Sequence, residues 1–316
     1  MLDVRRLALL RELEARGSIA AVSRALGISS SAISQQLTKL EVETGIPLTE
    51  QVGRSLQLTP AAQLLARRTD EAIAILEHAE AELEARRSRV QGVVRFAAFS
   101  TFAMRHLPEV LHRMATTHPD VVVEFTQVEP AESLEAVAGR RIDLAVTDKY
   151  PRIPRRVDAT MTTTHLCRDD LAAYLPHAVS SLDDLGEVPW VFEPPGSDAH
   201  SWAVRMCREA GFEPVVRLHS PDLRLHYELC VSGVAAAFLP RMVLETPSLH
   251  LPLPAFSYAW PDADVVDLHR DVYAVTRRGA RTRPAVAALL GHLKDVAEQP
   301  RTRTAPRSRR SSTSAR

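Results

Sequence analysis

Seven residues between positions 29 and 39 concentrate hydrogen-bonding chemistry in one short stretch. GISSSAISQQLTKLE (27–41) supplies Ser29, Ser30, Ser31, Ser34, Gln35, Thr38 and Lys39. A glutamine amide can pair bidentately with adenine, and serine or threonine hydroxyls serve either donors or acceptors on a base edge. The early serines also offer hydroxyls and backbone N–H groups to phosphate. Solvated helix faces usually carry Glu and Lys, which favour helix and solubility, so a Ser, Gln and Thr face points toward reading a groove.

Such chemistry needs a helix to aim it. On a helix over 30–43, Ile33, Leu37 and Leu40 fall at i, i+4 and i+7 and form one apolar stripe. Ser31, Ser34, Gln35 and Thr38 then fall on the opposite side. Val4, Leu7, Leu10 and Leu13 mark the apolar side of an earlier helix. Gly17 ends it, Ser18 caps a short alanine-rich helix over 19–26, and Gly27 breaks that one. Helix, tight glycine turn, and helix with a polar outer face is the helix-turn-helix arrangement, whose second helix enters the major groove. Residues 51–59 read as a short hairpin, with Gly53 at the turn, Arg54 at the tip, and Leu56 and Leu58 alternating inward. Arg54 is placed to meet phosphate or the minor groove.

These residues resemble the LysR-type transcriptional regulators. The resemblance rests on GSIAAVSRALGISSSAISQQLTKLEVETGIPL (17–48), the hairpin, and LTPAA (58–62), and continues more loosely to about residue 297. The chain departs from the usual pattern at Ser30-Ser31, Gln35, Thr49, Gln51 and Ala62. The resemblance implies a winged helix-turn-helix domain over 1–60 and a linker and dimerisation helix over 61–88. A two-lobed α/β effector domain over 91–298, built like a periplasmic binding protein, and a disordered basic tail over 299–316 complete the expected organisation. It further implies promoter DNA, a small effector, further copies of the chain as dimer or tetramer, and RNA polymerase as partners.

The residues themselves carry much of that organisation. Thr59 caps and Pro60 opens a long helix on which Ala61, Leu64, Leu65, Ala72, Ile75, Leu76, Ala79 and Leu83 recur at three- and four-residue steps. A stripe this long and narrow suits pairing with a twin helix. A dimer sets two reading heads about one DNA turn apart, or a multiple, and so reads an interrupted palindrome.

From residue 91 strand-like and helix-like segments alternate: 93–99, 102–117, 121–127, 130–139, 142–146, then 190–192, 199–210, 215–218, a helix from about 222, 233–239, 272–276 and 283–298. Alternation of this kind implies a parallel sheet with crossover helices, in two lobes around 91–162 and 163–265. Ligands in open α/β sheets lie beyond the carboxyl ends of strands. Ser100, Thr101, Thr147, Ser197 and Asp222 occupy those positions, and helix starts there favour an anionic group. A small effector carrying a carboxylate or similar anion is expected.

Composition narrows the classes. The chain has 316 residues, 45% hydrophobic and 25% charged, with zero net charge. Through Pro60 seven basic residues face six acidic ones, so DNA binding must rest on placed contacts and dimerisation. The tail from 301 holds six arginines and no acid. The amino terminus lacks a signal-peptide core, no window suits a membrane helix, and a cytoplasmic protein is expected. Cys167, Cys207 and Cys230 show no metal-ligand spacing and read as reduced thiols. No G-x-S-x-G, P-loop, G-x-G-x-x-G or metal-spaced histidine pair is present, which argues against an enzyme and against any cofactor. A transport-type solute-binding protein suits the larger domain but not the first sixty residues.

Overall fold

The computed structural model describes residues 2–52, 55–86, 89–155, 160–175, 182–245, 256–258 and 268–298. Gly53, Arg54 and the tail from 299 lie outside the described residues, as do 87–88 of the expected linker.

Three helices open the chain: α1 (Val4–Arg16), α2 (Ile19–Leu26) and α3 (Ser30–Thr44). Each start is capped by a short polar side chain. Asp3 accepts from the Arg5 N–H, Ser18 from Ala21 and Ser29 from Ala32, which satisfies donors that a helix start leaves unpaired. Gly27 takes φ 68° between α2 and α3, a left-handed turn that a side chain resists. Leu10, Leu13, Val22, Ile33, Leu37, Leu40 and Leu48 form a closed core beneath these helices. Each such side chain contributes roughly 1.5–3 kcal/mol by leaving water.

Strands β1 (Thr49–Val52) and β2 (Ser55–Leu58) pair antiparallel as a wing. The long helix α4 (Pro60–Ala85) follows, capped by Thr59. Its Ala62, Ala66, Thr69 and Ala81 are buried against the rest of the chain.

The larger unit runs β3 (Gly92–Ala98), α5 (Ser100–Thr117), β4 (Val121–Gln127), α6 (Pro130–Ala138), β5 (Leu144–Lys149) and β6 (Met161–Leu175). It continues through α7 (Leu182–Glu187), β7 (Pro189–Phe192), α8 (Asp198–Glu209), β8 (Val215–His219), α9 (Leu223–Val231), β9 (Ala237–Pro240) and α10 (Arg241–Leu244). The last elements are β10 (Phe256–Tyr258), β11 (His269–Arg277), a 3-10 turn over Ala280–Thr282, and α11 (Pro284–Ala297).

The main sheet has seven strands in the order β10-β6-β11-β5-β3-β4, with β9 also on β6. β3 lies parallel to β4 and β5, but β11 is antiparallel to both β5 and β6. The sheet is therefore mixed and not wholly parallel, because β11 returns to the first lobe from the second. β6 also differs from the sequence reading, which placed no strand at 161–175. Its first part pairs with β11 and its last residues with β9 and β10, so one strand belongs to both lobes. Lobe I packs Val94, Phe96, Phe102, Leu144 and Leu289. Lobe II packs Trp190, Trp202, Met206 and Phe238, with the Trp190 and Phe238 rings stacked at 5.2 Å. Among the described residues no helix is long and apolar enough to cross a membrane.

Candidate functional site

Two regions gather the chemistry: the outer face of α3 and a cavity between the lobes. On α3, Ile33, Leu37 and Leu40 are buried while Ser29, Ser30, Ser31, Ser34, Gln35, Thr38 and Lys39 are exposed. The first turn is internally bonded. Ser29 and Ser31 hydroxyls lie 3.1 Å apart, and the Ser34 hydroxyl donates to the Ser30 carbonyl at 3.0 Å. A donating hydroxyl keeps its acceptor lone pairs for another donor.

The two adjacent glutamines divide their work. Gln36 turns inward, and its Oε1 accepts from Arg6 Nε at 3.1 Å. Gln35 and Thr38 project outward and hold no side-chain hydrogen bond among the described residues. Gln35 thus keeps both donor and acceptor, the pair that an adenine edge requires.

Glu41 fixes the wing to this helix. Its Oε1 accepts from the Leu48 N–H at 2.9 Å and from the Thr49 N–H and hydroxyl, each at 3.0 Å. Nothing in the sequence marks Glu41, since a glutamate near a helix end is ordinary and only the tertiary fold brings β1 to it.

α4 leaves a second face uncovered. Leu64, Ile75, Leu76 and Leu83 are 51%, 71%, 52% and 68% exposed, and Ala72 and Ala79 lie exposed beside them. The opposite face meets lobe I through ion pairs. Glu77 contacts Arg140 and also Arg277 at 3.5 Å, and Glu84 contacts Arg283 at 3.5 Å.

Between the lobes lies a cavity of about 240 Å³. Phe99, Ser100 and Thr101 wall it from lobe I, and Gly196, Ser197 and Asp198 from lobe II. Of the expected residues, Ser100, Thr101 and Ser197 line it together. Thr147 and Asp222 are outside its lining. Thr147 is buried, receives Arg155 Nη1 at 2.8 Å and donates to the Pro130 carbonyl at 3.3 Å. Asp222 is exposed and caps α9 by accepting from the Arg224 N–H. Ser197 also caps, accepting from the His200 N–H at 3.0 Å. α5, by contrast, starts at Phe99 with no side-chain cap, so its first N–H groups remain available at the cavity wall.

Charged groups line the cavity that the sequence did not single out: Glu129, Asp148, Arg155, Glu193, Asp198 and Arg270. Arg270, on β11, is fully enclosed. Its Nη2 donates to Thr101 Oγ1 and to Asp169 Oδ2, both at 2.9 Å, and Nη1 reaches Asp148 at 3.2 Å. The guanidinium carbon sits 4.8 Å from the Phe99 ring centre. Burial works against its charge, but the Asp169 and Asp148 carboxylates outweigh it and hold the proton more firmly than usual. Asp169 also accepts from the Met242 N–H at 2.9 Å, in α10. Arg155 bridges the lobes by donating to Asp198 Oδ2 at 2.6 Å and to the Asp148 carbonyl at 2.5 Å. Burial, then the Asp148 charge, pushes the Glu193 carboxyl up to about 8, and burial and Asp148 likewise raise Glu129. Away from the cavity, the three cysteines are unpaired. Burial pushes the Cys167 and Cys230 thiols up to about 11 and Cys207 further, so all three stay protonated near neutral pH.

Comparison with known proteins covers both parts of the chain. Residues 4–63 match the bacterial regulatory helix-turn-helix protein family of LysR type, and residues 87–298 match the LysR substrate binding domain. The HTH-type transcriptional regulator CbbR of Rhodospirillum rubrum is 24% identical over 280 residues, 89% of this chain and 92% of its own length. The transcriptional dual regulator GltC of Bacillus subtilis is 26% identical over 246 residues, 76% of this chain and 81% of its own. Full-length OxyR of Pseudomonas aeruginosa shares the fold, with a TM-score of 0.60 at 15% identity, covering 93% of this chain and 98% of that one. CrgA of Neisseria meningitidis does so with a TM-score of 0.53 at 18% identity, over 95% and 100%. With a helix-turn-helix and wing followed by a two-lobed domain, and family matches over both, this chain belongs to the LysR family of DNA-binding transcriptional regulators and is not an enzyme.

Proposed function

We propose that the protein works in the cytoplasm as a dimer or tetramer on an interrupted palindrome in promoter DNA. Ser29, Ser30 and Ser31 meet phosphate, Gln35, Ser34 and Thr38 read base edges, and Lys39 and Arg54 add backbone contacts. The observation that carries this reading is the outward, unpartnered Gln35 beside the inward, hydrogen-bonded Gln36. The exposed stripe of α4 supports pairing with a second copy, since helix faces this apolar are normally covered.

A small effector is proposed to occupy the cavity, which is below the ~300–1,000 Å³ typical of drug-sized sites. The uncapped start of α5 at Ser100 and Thr101 favours a carboxylate there, with Ser197 facing it from lobe II. Thr147 and Asp222 act at one remove, holding Arg155 and α9 in place. An effector that binds one lobe arrangement better shifts the equilibrium toward it. The Glu77 and Glu84 ion pairs then carry the shift to α4 and the spacing of the reading heads, and so to RNA polymerase. Reporter transcription from the gene's own promoter, with Ser100→Trp blocking the cavity, tests this: the variant should still bind DNA but lose effector response.

A further inference from the structure

We propose that the effector carries a protonated amine, met by the Glu129 and Glu193 carboxylates, in addition to the carboxylate end that faces the start of α5. This rests on the reading of the interlobe cavity as the effector site.

The charge inventory of the cavity leads there. Its lining holds four carboxylates and two guanidiniums. Both guanidiniums are already engaged within the protein. Arg270 donates to Asp169, Asp148 and Thr101, and Arg155 to Asp198, Thr147 and the Asp148 carbonyl. The same contacts use Asp148 and Asp198. Glu129 and Glu193 are left over, and neither carboxylate holds a hydrogen bond or ion pair among the described residues. Glu193 is half-buried in lobe II at the end of β7, and Glu129 sits at the rim of lobe I before α6. They therefore face the cavity from opposite lobes. A ligand that bridges them also draws the lobes together.

The chemistry selects the bridging group. A carboxylate placed there meets like charge on Glu129 and, as pH rises toward 8, on Glu193 as well. A metal ion needs more ligands than two, and no group of three metal-ligating side chains occurs among the described residues. An ammonium supplies three donors to carboxylates that accept only. Together with the N–H groups of α5, the cavity matches a small zwitterion such as an amino acid.

Proton linkage gives the inference a sign. Glu193 is faced by Asp148 and Tyr150 from the β5 side, Arg155 beyond it, Glu129 before α6, Asp198 and His200 on α8, and Arg270 on β11. Burial and Asp148 push its carboxyl up to about 8. An arriving ammonium favours the carboxylate, so binding releases a proton and tightens as pH rises from 6 to 8. A plain carboxylate behaves oppositely, because the growing charge on Glu193 repels it.

The test is calorimetric titration of the full chain, at pH 6 and pH 8, with the twenty amino acids and with the matching carboxylic acids that lack the α-amine. An amino acid that binds about tenfold or more tighter than its amine-free partner, and tighter at pH 8, supports the inference. Glu129→Gln with Glu193→Gln should then erase the preference while leaving the amine-free acid bound, which also shows the variant is folded. Amine-free acids that bind as tightly, and weaken toward pH 8, overturn the amine and leave the cavity as the effector site. Binding by neither series, in wild type or double variant, overturns both readings.

Discussion

Arg155 donates to Asp198 at 2.6 Å across the cleft, and the same guanidinium holds Thr147 and the Asp148 carbonyl on its own lobe. One side chain thus links the two walls of the cavity. Asp198→Asn keeps the shape and removes the charge. Arg155 retains Asp148 at 3.7 Å, so folding stability should fall by only about 1 kcal/mol. Amide exchange in the segment around Gly196 should rise severalfold in the variant, measured by hydrogen–deuterium exchange. Gly196 itself takes φ +94°, so the loop has its conformation fixed by backbone and not by that ion pair alone.

Arg270→Met leaves Asp148 and Asp169 buried without their cation. Removing one partner of a buried pair costs roughly 3–5 kcal/mol. Urea unfolding should show that loss, and it should be larger at pH 8 than at pH 5. Burial already raises both carboxyls. Without Arg270 they rise further, so their neutral form persists above the ordinary carboxylate range, and the stability it contributes is lost as pH climbs through the raised values.

Glu193 has a pH signature of its own. Its carboxyl is raised from 4.5 to about 8 by burial and then by Asp148. A group raised in the folded state contributes stability fully below its unfolded value, and that contribution is lost as pH rises through the folded one. Between pH 5 and 8.5 wild type should lose on the order of 3 kcal/mol relative to Glu193→Gln. Parallel urea curves for the two proteins measure the difference. Parallel pH dependence in both would contradict it.

Ile75→Asp places a charge on a 71% exposed position of α4. The isolated fold should be untouched, within about 0.5 kcal/mol. Sedimentation equilibrium should instead show dissociation toward monomer, and DNA affinity should fall with it. An unchanged assembly state would remove α4 from the interface.

How far the sequence reaches is seen in particular residues. Ile33, Leu37 and Leu40 declare the buried face of α3 by period alone, and all three are buried. Ser18 and Thr59 declare helix starts because capping is local chemistry. β6 was not legible: MTTTHLCRDDLAAYL places threonines and charges where alternation is expected, because the strand crosses from one lobe's surface to the other's core. Arg270 was hidden for a related reason. Its partners Thr101, Asp148 and Asp169 lie 169, 122 and 101 residues away, so nothing local marks it. The cavity's acidic character followed the same course, since Glu129 and Glu193 meet only in the fold.

The most direct measurement is binding of the purified protein to the DNA upstream of its own gene, with unrelated competitor DNA and a salt titration. Wild type should retain its own sequence over competitor, and Gln35→Ala should lose that preference, by ~1–3 kcal/mol of discrimination, while Gln36→Ala acts through stability. Equal retention of both DNAs, vanishing at modest salt and unchanged in Gln35→Ala, would mean that charge alone touches DNA. The outer face of α3 would then be a solvated surface.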